Sequence, residues 1–380
     1  MGMILMITLG KTIYKLTGLM TKKQLVRTAK TVGESACAKM QQTGRNLSST
    51  EIGEILGNVI GKKAASKIEI SGDKASLVEA IMKNFGAPRM HAEGMANQCL
   101  SAALSKGMGS KTHLNLQVAD MPLHKSVNLI SHETEHALHR TFSFDMLIPK
   151  LLEKTSFGRK IIQKQMAKST LINEKNLKLQ DNLVGLTGWS DCAGGIASES
   201  NRAKALLEIT RCSDKKMLQK KIKDILYKDK VIEIGNDKQN DFVLKTLIGG
   251  LKDESRAYNA GAYVENLYRQ SVPKTSQVAT TRSEVIADIY DEAIQVMKKE
   301  RKHIRRNRLK EFFGLKVNRK EEQEIINETF QLVKSTEKTT LGYNKVIEMF
   351  RNNEIPKDAC EEVLKINGLK SEEIKKIIGS

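Results

Sequence analysis

The chain has 380 residues, with 63 Lys and Arg against 44 Asp and Glu and a formal net charge of +19. That length suggests two or three domains with ample core, and the charge favours an acidic partner: nucleic acid, an anionic membrane or an acidic protein. Aromatic residues at 4% argue against broad base-stacking surfaces, while five scattered cysteines without a Cys-x-x-Cys pair indicate neither a disulfide framework nor a thiolate zinc site and best fit a reducing compartment.

Met1 to Leu9 is apolar but short, with no basic residue ahead of it and Lys11 and Lys15 close behind. No small-residue cleavage site follows. The expectation is a protein that is cytoplasmic or exported without a classical signal peptide. Eighteen consecutive apolar residues occur nowhere, so no membrane span is predicted. Ile4, Leu5, Leu9, Ile13, Leu16 and Met20 fall on one side of an amphipathic helix that packs on the domain or lies at a membrane surface.

Residues 21–108 read as short helices punctuated by glycine. Ser48-Ser49-Thr50-Glu51 has the spacing of a capping box, and Ile52, Ile55, Leu56, Val59 and Ile60 follow it. Lys67 to Ser71 reads as a short strand ended by Gly72-Asp73. The stretch from Gly57 to Lys63 resembles a phosphate loop but is one residue short and lacks the Ser or Thr after Lys, so it is rejected. His91 is read as a surface or packing residue.

His113 to Ala119 alternates apolar and polar residues, the pattern of a half-buried strand, and Asp120-Met121-Pro122 makes a turn. A helix then carries His132-Glu133-Thr134-Glu135-His136 between apolar Val127, Leu129, Ile130, Ala137 and Leu138. Residues four apart on a helix differ by about 40° around its axis and about 6 Å along it. Both imidazoles therefore reach one metal ion from the same face, with Glu133 beside the first to take a proton from a bound water.

A catalytic zinc needs a third protein ligand and an open fourth position. His139 shares the stripe, but His132 and His139 lie about 10.5 Å apart along a straight helix, too far to share an ion. The longer pattern with a third histidine fails because Phe142 stands at that place. The third ligand must come from elsewhere in the chain; Glu254 is the best candidate and Glu199, nearer in sequence, the runner-up.

Residues 146–235 read as helices with polar loops, and the only Trp, Trp189, sits in the glycine-rich stretch from Gly185 to Cys192. A long helical pattern runs from about Phe242 to Tyr268. Gly250, Ala257 and Gly261 recur around Glu254 at helical spacing, small enough to admit a second helix closely. Interior glycines cost roughly 1 kcal/mol each against Ala, so packing or function should account for them. A further helix begins near Ser283 and ends in the basic run Lys298 to Lys310, suited to phosphates, anionic lipid or an import receptor. Charge-rich helices at about 319–334, 341–351 and 357–378 complete an accessory region. The expected organisation is 1–108 helical, 109–275 catalytic and 276–380 basic and helical.

The strand, turn and motif helix resemble the zincin superfamily of metallopeptidases. Glu254-Ser255-Arg256-Ala257-Tyr258 is similar to the glutamate helix of gluzincins, zincins whose third ligand is Glu. The resemblance covers these two segments and their order. It implies an α+β, predominantly helical fold: a zincin-like core with a small sheet and a metal-binding helix, plus accessory helices. It further implies Zn2+ on His132, His136 and Glu254, Glu133 as general base, and Tyr258 or Tyr263 at the oxyanion. An edge strand along the cleft would pair with extended peptide substrate. Glu135 departs from the family's preference for uncharged residues between the histidines. The lone motif, Lys-rich composition and lack of an ordinary signal also resemble bacterial secreted effectors. The competing expectations are a non-catalytic helical protein binding nucleic acid or an anionic surface through Lys298 to Lys310, and a zinc hydrolase acting on another bond.

Overall fold

The computed structural model describes residues 19–98, 101–105, 111–146, 155–156, 172, 175–186, 215–228, 230–233, 236–271, 281–315, 317, 347, 350–351, 357, 360–361, 364 and 371–379. The described residues are mostly helical, with one small three-stranded sheet. The expected N-terminal amphipathic helix falls almost wholly outside the described residues. So do Trp189, Glu199 and most of the accessory helices after Leu315. The chain divides into two compact units, Met1–Ala167 with Arg256–Val272, and Lys168–Ser255 with Pro273–Ser380.

In the first unit, helix α1 (Lys22–Thr43) opens with a reciprocal capping box between Thr21 and Gln24 and closes on Gly44 at φ 67°. The glycine-punctuated reading missed this long helix because Gly33 interrupts its middle. Its apolar stripe, Leu25, Ala29, Val32, Ala36 and Met40, is completely buried. Helix α2 (Ser49–Ile60) has the expected Ser48–Glu51 box, and Arg45 grips Glu51 at 2.9 Å and 3.0 Å. A short α3 (Lys62–Ala65) leads to strand β1 (Ile68–Ser71), then α4 (Lys74–Phe85), α5 (Arg89–Gln98), β2 (Ser101–Ser105) and β3 (Thr112–Leu116).

The sheet order is β1-β3-β2, with β3 parallel to β1 and antiparallel to β2. The strand just ahead of the motif helix is therefore the central one. Any strand addition of the kind the resemblance implies must use β1 or β2. Chain reversal after β3 is pinned by Asn46, whose amide donates to the carbonyls of Ala119 at 2.9 Å and Met121 at 2.7 Å. Pro122 then caps helix α6 (Leu123–Phe142), which holds the motif. Pro suits this position because its fixed φ and missing N–H cost a helix start little.

Helix α6 packs against α1, β2 and β3, and Val127, Ile130, Ala137 and Leu138 enter the same core as the α1 stripe. Close approach is possible because Gly33 offers no side chain. A Cβ there would stand 2.6 Å from Val264 Cγ2 and 2.9 Å from Ser131 Cβ.

The expected long helix is α8 (Asp237–Ser271), whose Arg256–Ser271 part belongs to the first unit. A Cβ on Gly261 would meet Asn128 Oδ1 at 2.5 Å and the Asn128 carbonyl oxygen at 2.9 Å. Backbone of α6 cannot step aside cheaply. Although Ala is intrinsically the better helix former by about 1 kcal/mol, Gly261→Ala is expected to destabilise by about 1–3 kcal/mol. Chemical denaturation checks the sign: a stabilised variant would contradict this contact.

In the second unit, α7 (Lys215–Lys228) and α9 (Arg282–Phe312) run parallel. Lys215 pairs with Glu292 at 2.8 Å, and two turns along Lys223 pairs with Glu300 at 2.7 Å. Leu218, Ile222 and Leu226 of α7 are fully buried, as are Val285, Ala293 and Met297 of α9. Helix α10 (Ser371–Ile378) lies near the C-terminus. No helix among the described residues is long and apolar enough to cross a membrane.

Candidate metal centre

The four-residue step on α6 brings His132 Nε2 to 3.2 Å from His136 Nε2, with ring centroids 4.9 Å apart. Two nitrogens bound to one tetrahedral zinc at 2.0–2.1 Å would sit about 3.3 Å apart. One carboxylate oxygen of Glu254 completes the group, with the three ligand atoms all within 4.8 Å of one another. It is the one such His, Cys, Asp and Glu group among the described residues. His132 is buried, and His136 and Glu254 are half-buried. Two nitrogens and one oxygen are a donor set that zinc accepts, and three protein ligands leave a fourth position open. The residues present therefore fit a metal ion.

Helix α8 antiparallel to α6 explains how Glu254 arrives. Glu254 stands by His136, and one turn later Tyr258 lies edge-on to His132, centroids 4.5 Å apart at 74°. Gly261 in turn meets Asn128, four residues ahead of His132. Each turn forward on α8 matches a turn back on α6. Below Gly261 the match ends in a polar clamp: Asn128 donates its amide to Glu265, which also accepts from the buried Arg269 guanidinium.

Glu135, the charged residue between the histidines, has no exposed surface. Its Oε1 accepts from Arg256 Nε at 3.0 Å, and its Oε2 lies 3.9 Å from His136 Nδ1 without a hydrogen-bond partner. A carboxylate taken out of water needs a cation nearby. Arg256, two residues past Glu254, supplies it. The buried charge of Glu135 is thus compensated from α8, the helix that carries Glu254. The same carboxylate places negative potential behind the outer nitrogen of His136, an arrangement that favours ligation through Nε2.

Glu133 is buried on α6, one residue from His132. The two tyrosines part company. Tyr258, about 40° around α8 from Glu254, shares its face; Tyr263, nine residues on, lies on the opposite side. The Tyr263 hydroxyl donates to Glu34 at 2.8 Å, and Lys30 sits 4.3 Å above its ring. His139 stays outside the group, its Nε2 lying 3.9 Å from Asp145 Oδ2. Arg256 escaped sequence reasoning. The clue was available, since a charge inside a buried helix demands a partner and Arg256 stands beside the leading third ligand.

No family model, curated protein or solved structure matches this chain.

Proposed function

We propose that the chain is a zinc-dependent metallopeptidase of the gluzincin kind, with a zincin-like core built on α6, α8 and the small sheet. The observation that carries this reading is the convergence of His132, His136 and Glu254 within 4.8 Å on two antiparallel helices. Those three side chains would hold the ion. A zinc ion held there would supply Lewis acidity toward a water and the scissile carbonyl. Glu133 accepts the water proton and delivers it to the leaving amine, so one carboxyl serves first as base and then as acid. Tyr258, whose ring lies edge-on to His132, would donate to the developing oxyanion of the substrate.

Elemental analysis of purified protein beside a His136→Ala variant tests the site. The expected result is about one zinc per wild-type chain, lost in the variant while circular dichroism stays native. Only neutral imidazole ligates, so zinc is expected to dissociate as pH falls below about 6. Wild type that takes up no zinc after refilling, or holds it undiminished at pH 4, overturns the reading. With zinc established, hydrolysis of a peptide panel separates a peptidase from a hydrolase of other bonds.

A further inference from the structure

The basic end of α9 has a second property that its charge pattern does not disclose. At about 100° per residue, Lys298, Lys299, Lys302, Arg305, Arg306 and Arg308 spread over the exposed side, opposite buried Glu300, Ile304 and Asn307. Arg305 is partly committed, because Asp241 binds it at 2.9 Å and Arg301 at 2.6 Å. The other five have no ion-pair partner among the described residues. Leu309 and Phe312 project from the middle of this cationic face, 58% and 82% exposed.

Just beyond, the chain turns through Gly314 at φ 67°, and Leu315 N–H donates to the Lys310 carbonyl at 2.8 Å. Phe313 and Leu315 flank that turn, 70% and 58% exposed, and the Phe312 and Phe313 rings meet edge-to-face at 5.3 Å. Four large apolar side chains thus stand exposed at the tip of a helix whose last turns carry cations with no ion-pair partner among the described residues. Scattered single exposures are ordinary; four large apolar side chains exposed within seven residues, two of them in ring contact, are the kind of feature that marks an interaction site.

We propose that this tip docks the protein on an anionic lipid bilayer, the cations against headgroup phosphates and carboxylates and the apolar four entering the acyl boundary. A nucleic acid would satisfy the cations alone. Leu309 and Leu315 have no π face on which a base can stack, whereas a membrane interface takes cations and apolar groups together.

Co-sedimentation of the full chain with vesicles provides the test. Vesicles of phosphatidylcholine mixed with phosphatidylserine are expected to bind, phosphatidylcholine alone not, and raised salt to weaken binding. Replacing Lys298, Lys299 and Lys302 together by Gln should weaken partitioning roughly a hundredfold. Phe312→Ser with Phe313→Ser keeps every charge and should weaken it by more than about tenfold. His136→Ala should bind like wild type, so this proposal stands apart from the metal site. No binding to the mixed vesicles overturns it, as does binding indifferent to the phenylalanine pair. Duplex DNA bound in preference to the vesicles would assign the segment to nucleic acid instead.

Discussion

Replacing Glu133 by Gln is expected to leave zinc in place and the fold intact while lowering peptide hydrolysis by roughly 10²–10⁴-fold. The substitution keeps the shape of a buried side chain and removes only its capacity to accept and return a proton. The proposed ligands His132, His136 and Glu254 are untouched, so metal content separates this variant from His136→Ala, in which both zinc and turnover are expected to disappear. The loss should fall on kcat more than on KM, since the proton moves only as the bond breaks. Steady-state rates on a cleavable peptide, measured with zinc content on the same preparation, decide it. A zinc-loaded Glu133→Gln enzyme within a few-fold of wild type would remove Glu133 from the mechanism.

The second large effect concerns stability. Arg256→Met strands the Glu135 carboxylate at a position with no solvent exposure, and a buried charge left without its partner costs about 3–5 kcal/mol. That is a large share of an ordinary protein's total stability. Removing both charges, with Glu135→Leu added to Arg256→Met, is expected to recover most of the loss, because an apolar pair of similar volume needs no desolvation. Thermal or urea unfolding of the two variants reads the difference. If the double variant is no more stable than the single one, the ion pair is not what sets the cost.

What could be read in the sequence was what depends on near neighbours. The Ser48–Glu51 box, the strand at Ile68–Ser71 and the helix bearing the histidines follow from spacing within a few residues. Longer elements were legible where the helical spacing of their apolar and small residues carried on through any glycines, as in α8 and α9. Gly33 concealed α1, because a glycine that ends helices locally serves here to let Ser131 and Val264 come close. Strand β2 was missed since Ser-Ala-Ala-Leu-Ser has no β-branched or aromatic residue, and its pairing with β3 supplies the preference its side chains lack.

At the site, the two histidines were fixed by one helical turn. Glu254 needed an account of which face of a distant helix is small enough to approach α6, and Gly261 was the informative residue. The central position of β3 and the pairing of Glu135 with Arg256 depend on which segments meet, and no local pattern states that.

The turn-for-turn match between α6 and α8 has a consequence for engineering. A site specified by histidines one turn apart, facing a glutamate and a tyrosine one turn apart in reverse order, is a short recipe. It names helix phase and vertical alignment and asks little of the surrounding sheet. Any rigid pair of oppositely directed helices, brought close by a glycine and locked against sliding by one buried charge pair, could carry it. Transplanting these few side chains into an unrelated helical hairpin would measure how much of the chemistry resides in alignment alone.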